Sequence, residues 1–365
     1  MNWSPQQEAA IEAVKAWLAN KDRPQIFRLF GYAGTGKTTL AKHLVKEVDG
    51  TTLFAAFTGK AAQVLRNKGC KGATTIHQLI YRVSREYKTG KVNFYLNQSS
   101  ILATAKLLVV DEVSMVGEEL ANDLMSFGVP ILVLGDPAQL PPVKSTGFFI
   151  NEEPDILLTE IHRQALDNPI IKLSMSIRKG EGFPSDFTGV TAQANLSDDE
   201  LMQLCKDHEQ VLCGRNLTRV MMNKSIRRSL GILEPLPVVG DKVICLRNDR
   251  EKGIFNGSIW TVQSVKNSLH KLELVVKSID DPDQPDVSVI VRKEFFTGGA
   301  DKLPWKSLIG TQQFTFGYCI TVHKSQGSQW NSVLVIDESQ DFEEDAAKHL
   351  YTAVTRAAQK LTVLT

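Results

Sequence analysis

The sequence predicts an α/β protein that is built on parallel sheets and has more than one domain. Apolar strand segments alternate with helical segments through the first half, an order typical of a parallel sheet with right-handed crossovers. A glycine-rich turn follows the first strand and opens a helix. The 365 residues exceed the roughly 100–200 of a typical domain, so two or three domains are expected.

The first helix and the strands after it follow from local patterning. Ser4 suits an N-cap, Pro5 the first helical position and Gln7 a capping box, which predicts a helix over 4–19. Apolar runs then predict strands, and side chains at the carboxyl ends of such strands carry the chemistry of parallel sheets. The predicted strands are 25–30, 52–57, 106–110 and 130–134, with helices following the first to about residue 48 and the second at 60–68.

Residues 81–105 interrupt this alternation. They are polar, basic and aromatic, and we interpret them as a small hairpin insertion that turns at Thr89-Gly90. The loop-rich residues 180–200 predict a crossing to a second domain. That domain resumes with a strand near Val211 and a basic helix over 216–230, and it ends in a strand–helix–strand.

Residues 240–312 are typical of a small all-β unit. Alternating apolar and polar residues predict strands, and Asn256-Gly257 is typical of a hairpin turn. The acidic run 280–286 is most simply an exposed turn of this unit.

Composition restricts the functional classes. Apolar residues make up 42% and charged residues 23%, which excludes a mainly disordered or collagen-like chain. The net charge of +1 means that any nucleic-acid site must concentrate its positive charge locally. The five cysteines form no C-x-x-C pair, so reduced thiols in a cytosol are expected. With no signal pattern and no apolar run near 18 residues, we expect a cytoplasmic protein without a membrane partner.

Residues 31–38, GYAGTGKT, fit the phosphate-binding pattern G-x-x-x-x-G-K-[ST]. Glycines let backbone N–H groups surround phosphate oxygens, Lys37 neutralises the β- and γ-phosphates, and the Thr38 hydroxyl can ligate Mg²⁺. The sequence therefore predicts a site for ATP and Mg²⁺.

Asp111-Glu112 follows the apolar run LLVV. The first carboxylate can hold Mg²⁺, and the second can orient or deprotonate an attacking water. The similar segment 335–338 lies in an acidic run, and we interpret it as a structural strand end. Arg163 and Arg356 are candidates for neutralising transition-state charge, because of their surroundings LTEIHRQ and YTAVTRAA.

Two basic segments could meet nucleic acid. Residues 212–230 carry five basic side chains and no acid, which suits either phosphate contacts or a solvated helix face balanced by the acidic run 337–345. Residues 81–95 combine four basic with four aromatic side chains, Phe94 among them. That combination suits single strands, whose bases stack, or aromatic rings that pack the hairpin onto its domain.

The order of these segments resembles superfamily 1 helicases, most closely their Dda and RecD branch, over nearly the whole chain. GDPAQLPPV (135–143) and TVHKSQG (321–327) are the most diagnostic segments. The resembling motifs are SPQQ (4–7) for motif Q, GYAGTGKT for I, AFTGKAAQVL (56–65) for Ia, TIH (75–77) for Ib, DEVSM (111–115) for II, GDPAQLPPV for III, LTEIHRQ (158–164) for IV, GYCITVHKSQGSQ (317–329) for V and YTAVTRAA (351–358) for VI.

The resemblance implies two RecA-like parallel-sheet domains of the P-loop NTPase type, with ATP between them. The first, which binds ATP, would comprise 1–80 and 106–180, and the second 181–239 and 313–365. Residues 81–105 take the place of the strand-separating pin, and residues 240–312 that of the SH3-like insertion.

Functional residues also follow from the resemblance. Gln7 would read adenine, with its capping role as the competing explanation, and Gln139 would sense the γ-phosphate. The implied catalytic residues are Lys37, Asp111, Glu112, Gln139, Arg163 and Arg356. The implied nucleotide-binding residues are Gln7, Gly34, Thr35, Gly36, Lys37, Thr38, Thr39, Gln326 and Gly327, with Thr38 and Asp111 at the metal. The implied DNA contacts are Thr58, Lys60, Thr75, His77, Phe94, Pro142, Thr321, His323 and Lys324. Relatives commonly carry Pro-Thr in motif Ia where this chain has Phe57-Thr58, so a proline contact does not transfer.

The expected function is an ATP-dependent helicase that travels 5′→3′ on single-stranded DNA and acts at single-strand–duplex junctions. A monomer is expected, with single-strand-binding, replication or recombination proteins as candidate partners. Translocation without unwinding, action on RNA, a P-loop kinase or switch GTPase, and a non-catalytic DNA-binding module stay open as alternatives. Stimulation of ATP hydrolysis by single-stranded DNA discriminates among these classes.

Overall fold

Three sheets and a two-stranded hairpin organise the residues that the computed structural model describes. Two of the sheets are parallel, and the third is antiparallel. The described residues are 3–85, 92–141, 147–160, 168–184, 186–191, 195–249, 251–281 and 283–365.

The first sheet is parallel, and its strands are β1 (Ile26–Gly31), β2 (Thr52–Ala56), β3 (Thr74–Thr75), β6 (Leu107–Asp111), β7 (Ile131–Gly135) and β8 (Ile156–Leu158). Their order across the sheet is β3-β2-β6-β7-β1-β8. The central strands are apolar on both faces, because helices cover both sides of the sheet. The helices of this half are Pro5–Ala19, Lys37–Leu44, Gly59–Asn67, Ile76–Ile80 and Glu118–Met125, with 3-10 turns at Val45–Glu47, Ile101–Thr104, Val113–Met115 and Phe148–Ile150.

The predicted capping box is confirmed. The Ser4 hydroxyl accepts from the Gln7 backbone N–H at 3.3 Å, and the Gln7 side chain accepts from the Ser4 N–H at 3.1 Å. This reciprocal pair satisfies two backbone donors at the start of Pro5–Ala19.

The hairpin pairs β4 (Tyr81–Arg85) with β5 (Val92–Leu96). The predicted turn at Thr89-Gly90 lies outside the described residues. Residues 97–105 belong to the first domain instead, because Leu102 is buried in its core and the Ser100 hydroxyl donates to the Leu79 carbonyl at 2.6 Å. The insertion is therefore shorter than the predicted 81–105.

The second sheet is parallel, and its strands are β9 (Val190–Thr191), β10 (Gln210–Cys213), β16 (Cys319–Thr321), β17 (Trp330–Ile336) and β18 (Ala357–Leu364). Their order across the sheet is β16-β10-β17-β18-β9. Its helices are Pro169–Lys179, Asp198–Lys206, Asn216–Ser229, Val322–Ser325 and Ala346–Val354, with a 3-10 segment at Ser339–Asp345.

The helix Pro169–Lys179 belongs to this second domain, which moves the predicted boundary at residue 180. Ile170, Leu173 and Ile177 are buried in one core with Val333 and Tyr351. Its apolar stripe would suit the face of either sheet, so the stripe alone does not say which sheet the helix covers.

The third sheet is antiparallel, and its strands are β11 (Lys242–Cys245), β12 (Ile259–Asn267), β13 (Lys271–Ser278), β14 (Val287–Arg292) and β15 (Phe314–Phe316). Their order across the sheet is β14-β13-β12-β11-β15. Short helical segments lie at Glu294–Thr297, Ala300–Lys302 and Trp305–Leu308. The all-β prediction for 240–312 holds for the sheet, which also takes in β15 beyond residue 312.

Asn256-Gly257 does form a turn, but not a two-residue hairpin. The Ser258 N–H donates to the Phe255 carbonyl at 3.0 Å, and Gly257 has a φ of 88°. The connection between β11 and β12 spans 246–258, so the turn is one part of a longer loop.

Candidate ATP and DNA site

The phosphate loop joins β1 to the helix Lys37–Leu44. Gly34 and Gly36 have φ values of 80° and 81°, a conformation that favours glycine and turns the backbone around a small concavity. The Lys37 ammonium donates to the carbonyls of Gly31 and Tyr32 at 2.5 and 3.1 Å. The loop therefore carries its cation folded against its own backbone.

The predicted carboxylates lie beside this loop. Asp111 ends β6, and its Oδ2 accepts from the Thr38 hydroxyl at 3.1 Å. Its Oδ1 accepts from the Glu112 N–H at 2.9 Å. Glu112 has a φ of 54°, rare for a residue with a side chain and typical of strained functional positions.

Glu112 has the electrostatics of a base. Burial raises its pKa, the positive charges of Arg356 and Lys37 act in the opposite direction, and the negative charges of Asp111 and Asp136 reinforce the rise. A raised pKa makes a carboxylate a better proton acceptor near neutral pH.

The oxygen donors at this point suit Mg²⁺. Mg²⁺ takes oxygen ligands, often one or two from the protein and the rest from phosphates and water. The Thr38 hydroxyl and the Asp111 carboxylate, already 3.1 Å apart, fit that donor set. Among the described residues no group of three or more His, Cys, Asp or Glu side chains could hold a metal ion.

The loop after β7 contributes Gln139, which is buried. Within the described part of the chain its Oε1 atom finds no hydrogen-bond partner. A buried amide oxygen without a partner is costly, and its position on the cavity wall suits a group that meets a ligand or its water.

Arg356 reaches the same cavity from the second domain. Arg356 is 5% exposed, and its guanidinium donates to the Thr352 and Ser328 carbonyls at 3.0 and 3.2 Å. The cavity has a volume of about 400 Å³. Its walls include Gly34, Gly36, Lys37, Thr38, Thr39, Asp111, Glu112 and Gln139 from the first domain and Gly327, Ser328, Thr355 and Arg356 from the second.

Three predicted nucleotide-binding residues stand back from the cavity wall. Thr35 is buried, and its hydroxyl donates to the Tyr32 carbonyl at 2.8 Å. Gln7 donates to the Thr35 carbonyl at 3.0 Å, so its side chain supports the phosphate loop as well as capping its helix. Gln326 donates to the Leu140 carbonyl at 2.9 Å, which links the two domains.

Sequence reasoning missed a group of contacts that cross between the domains. Tyr351 contacts both Asp136 and Ala33, and Arg178 stacks over the Tyr32 ring at 3.4 Å from the centroid. Tyr351 and Asp136 both lie inside predicted helicase motifs, and this membership is the sequence signal that could have pointed to their contact. Nothing local in Arg178 points to Tyr32.

Most predicted DNA contacts lie at helix starts. The hydroxyls of Thr58, Thr75 and Thr321 accept from backbone N–H groups of their own helices at 3.0, 3.2 and 3.4 Å. A hydroxyl that accepts in this way keeps its proton to donate. Thr75 is buried, whereas Thr58 and Thr321 are half-buried.

The remaining predicted contacts differ in exposure. Phe94 is 53% exposed, and its ring packs against His77 and Tyr81 at 6.0 and 5.8 Å between centroids. Burial lowers the pKa of both His323 and Lys324, and the Lys324 ammonium donates to Asn256 Oδ1 at 2.7 Å.

Lys60 is placed differently from the DNA-contact prediction. Its ammonium lies 2.5 Å from Asp280 Oδ1, and both side chains are at most 10% exposed. Asp280 is anchored in turn by the Ile259 N–H at 2.9 Å, so the expectation of an exposed turn is wrong for this residue. The pair joins the helix Gly59–Asn67 to the third sheet.

Glu338, the predicted structural strand end, does organise structure. Its carboxylate accepts from the Gly214 and Arg215 N–H groups at 2.8 Å and from the Thr218 hydroxyl at 2.5 Å. Burial alone would raise its pKa, but these hydrogen bonds together lower it. Arg215 also pairs with Asp341. For this part of the basic helix, the ion pair favours the interpretation in which the acidic run 337–345 balances the positive charge.

Arg163 and Pro142 lie outside the described residues. The five cysteines are free and buried. Within the described residues no helix is both long and apolar enough to cross a membrane.

A family model described as an AAA domain matches residues 2–196, just over half of the chain. The chain belongs to this family. In this AAA-domain protein, residues 316–364 match a second model, described as a UvrD-like helicase C-terminal domain. Together the two matches confirm the resemblance to superfamily 1 helicases.

Curated relatives of the AAA-domain chain carry helicase names. The ATP-dependent RecD2 DNA helicase of Deinococcus radiodurans is 28% identical over 360 residues, 91% of this chain and 46% of that protein. The ATP-dependent DNA helicase dda of Enterobacteria phage T4 is 30% identical over 178 residues, 45% and 40% of the two chains. The ATP-dependent DNA helicase Pif1 of Bdellovibrio bacteriovorus is 24% identical, over 97% and 85%. The chain thus spans less than half the length of the first two.

Solved structures share the fold of the whole chain. The crystal structure of Bacteroides Pif1 bound to ssDNA is 20% identical, covers 100% of this chain and 92% of its own, and gives a TM-score of 0.63. Pif1 helicase from Candida albicans is 19% identical, with coverages of 100% and 94% and a TM-score of 0.56. The predicted architecture of two RecA-like parallel-sheet domains is confirmed, whereas the SH3-like character of the third sheet stays a prediction.

Proposed function

We propose that this chain is an ATP-dependent DNA helicase that moves along single-stranded DNA and opens duplexes at single-strand–duplex junctions. One observation carries the proposal. Lys37, Asp111 and Glu112 from the first domain and Arg356 from the second line one cavity. The names of the relatives, which are ATP-dependent DNA helicases, support the same activity.

The first domain would bind the nucleotide. Backbone N–H groups of the phosphate loop and the Lys37 ammonium would hold the β- and γ-phosphates. Thr38 and Asp111 would hold Mg²⁺, which supplies neutralisation of the developing phosphate charge. Glu112 would accept a proton from the attacking water, and Gln139 would orient that water or meet the γ-phosphate.

The second domain would complete the reaction by supplying charge. Arg356 would neutralise the charge on the transferring phosphoryl group, a role worth 10³–10⁵ in rate in measured cases. The cavity has both walls only when the domains are together, so ATP would bind the closed arrangement more tightly and drive closure. Loss of the γ-phosphate would remove that preference, and alternate gripping of the strand would turn each cycle into a step.

The strand would cross both domains at the helix starts capped by Thr58 and Thr321. Helix N-termini attract phosphate, and both hydroxyls keep a proton for it. His77 and exposed Phe94 offer rings for base stacking. Thr75, His323 and Lys324 would line the same path, while Lys60 would act through its pair with Asp280.

The hairpin of β4 and β5 would serve as the strand-separating pin, since it carries Phe94, which is 53% exposed beside His77 of the first domain. The third sheet would be the SH3-like insertion. Travel from 5′ to 3′, a monomeric state, replication or recombination partners and a cytoplasmic location stay predictions from the sequence.

The proposal is tested by ATP hydrolysis and strand separation on duplexes with a 5′ or a 3′ tail. We expect turnover to rise with single-stranded DNA and unwinding to need the 5′ tail. Lys37→Ala should abolish both while the protein stays folded, as measured by circular dichroism. Turnover that ignores DNA would favour a P-loop kinase or switch, and DNA-stimulated turnover without unwinding would favour a simple translocase.

A further inference from the structure

Tyr351 lies on the helix Ala346–Val354 of the second domain, but its hydroxyl contacts the first. It donates to Asp136 Oδ2 at 2.8 Å and accepts from the Ala33 N–H at 3.0 Å. Asp136 begins the loop after β7, and Ala33 belongs to the phosphate loop. Two loops of the nucleotide cavity therefore meet on a single oxygen atom of the other domain.

The direction of these hydrogen bonds is determined by chemistry. A phenol has one proton, and a backbone N–H can only donate, so the Tyr351 proton must go to the Asp136 carboxylate. Burial raises the pKa of Tyr351, and the charge of Asp136 raises it further. The hydroxyl therefore keeps its proton throughout the pH range of an enzyme assay.

The same loop is held at further points. Asp136 Oδ1 accepts from the Ala138 N–H at 3.0 Å, next to Gln139. The Leu140 N–H donates to the Thr352 hydroxyl at 2.9 Å, and the Leu140 carbonyl accepts from Gln326 at 2.9 Å. Gln139 thus lies between Asp136 and Leu140, which are bonded to the second domain only while that domain is docked.

The ring and the hydroxyl of Tyr351 contact different domains. The ring packs in the core of the second domain with Leu173 and Val333, where a phenylalanine would fit equally. The hydroxyl's partners among the described residues both belong to the first domain. The hydroxyl therefore contributes little that the second domain needs for its own folding.

We propose that Tyr351 is a positioning residue that makes the arrangement of the phosphate loop and of Gln139 depend on domain closure. The proposal rests on the ATP-driven closure of the proposed function. Without the hydroxyl, the second domain would still supply Arg356 and still bond to Leu140, but Asp136 and the phosphate loop would lose their bond to the second domain. ATP would bind, and hydrolysis would become poorly coupled to closure.

The test compares Tyr351→Phe with Tyr318→Phe. Tyr318 offers a matched control, because its hydroxyl donates to the carboxylate of Asp241 at 2.9 Å and neither residue lines the cavity. Each variant removes one phenol–carboxylate hydrogen bond and leaves a ring of the same size. Both are assayed for ATP turnover with single-stranded DNA and for affinity for ADP with and without aluminium fluoride, which mimics the transferring phosphoryl group.

We expect Tyr351→Phe to lower the DNA-stimulated kcat about 10- to 100-fold, the effect of losing a hydrogen bond to a charged group, with KM for ATP changed less than about threefold. The gain in ADP affinity from aluminium fluoride should fall about tenfold. Tyr318→Phe should leave both quantities within about twofold of wild type.

Equal behaviour of the two variants would refute the positioning role while leaving the helicase proposal intact. A wild-type protein without DNA-stimulated turnover would refute the helicase proposal, and this inference with it. If Tyr351→Phe lowers Tm more than its control does, the aluminium fluoride ratio, measured within each variant while folded, still decides between the two.

Discussion

Arg356→Ala removes a guanidinium that the second domain holds against the cavity. Arg356 is 5% exposed, and its side chain makes hydrogen bonds to the Thr352 and Ser328 carbonyls and the Thr355 hydroxyl at 3.0 to 3.3 Å. These contacts, all to residues of the second domain, fix the orientation of the guanidinium. The alanine variant therefore removes a preorganised charge, not a mobile one.

The expected loss in kcat is about 10³-fold or more, the range found where such an arginine has been removed from related chemistry. KM for ATP should change little, because the phosphate loop that holds ATP lies in the first domain. The loss of three hydrogen bonds from a buried group should lower the free energy of unfolding by about 1–3 kcal/mol.

A shift in pH dependence separates electrostatics from simple misfolding. Burial raises the pKa of Glu112, and the positive charge of Arg356 counteracts part of that rise. Removing the charge should raise the pKa further, so the acid limb of the pH–rate profile should move to higher pH. Arg356→Lys keeps the charge and should leave the limb in place, but it should still lose kcat because an ammonium lacks the planar fork.

The assay is DNA-stimulated ATP turnover between about pH 5 and 9 for wild type and the two variants. Lys348→Ala is the control, since Lys348 lies on the helix Ala346–Val354 and, as far as the chain is described, has an exposed ion pair with Asp345 at 3.3 Å as its one contact of this kind. An Arg356→Ala enzyme with normal kcat, or with a lowered kcat and an unmoved acid limb, would refute the reasoning that Arg356 acts on both the phosphate and Glu112.

Three further predictions concern stability and coupling. Glu338→Gln should lower the free energy of unfolding by about 1.5–3 kcal/mol at pH 7; because the pKa of Glu338 is lowered, the difference should shrink in urea titrations as pH falls below the ordinary value of 4.5. Asp280→Asn leaves the buried Lys60 cation without a counter-charge and should cost about 3–5 kcal/mol in the same titrations, while the exposed Asp283→Asn should change little. Replacing residues 84–93 by a two-residue turn should retain DNA-stimulated turnover and reduce base pairs opened per ATP; unchanged coupling would contradict the pin.

Local signals in the sequence were enough to predict the proposed nucleotide site. The capping box, the phosphate loop and the Asp111-Glu112 pair each depend on residues that are close in sequence, so they can be recognised without knowledge of the tertiary structure. The alternation of strands and helices likewise predicted parallel sheets, because only a crossover connection joins parallel neighbours.

Contacts between residues that are distant in sequence could not be predicted in the same way. Lys60 and Asp280 are 220 positions apart, and nothing in either segment selects the other. The helix Pro169–Lys179 has an apolar stripe that either sheet could have covered, and packing with Tyr351 decided between them. The strand β15 joined the third sheet through its pairing with β11, which its three residues could not specify alone.

By itself, the sequence predicted which groups would handle phosphate, because contiguous residues place a cation, a hydroxyl and two carboxylates at strand ends. Only the tertiary structure decided what those groups face. The presence of Arg356 in the same cavity, and of the Tyr351 hydroxyl between two of its loops, depends on how the two domains dock. Docking follows from the shape and hydrogen bonding of whole surfaces, and no short stretch of chain encodes it.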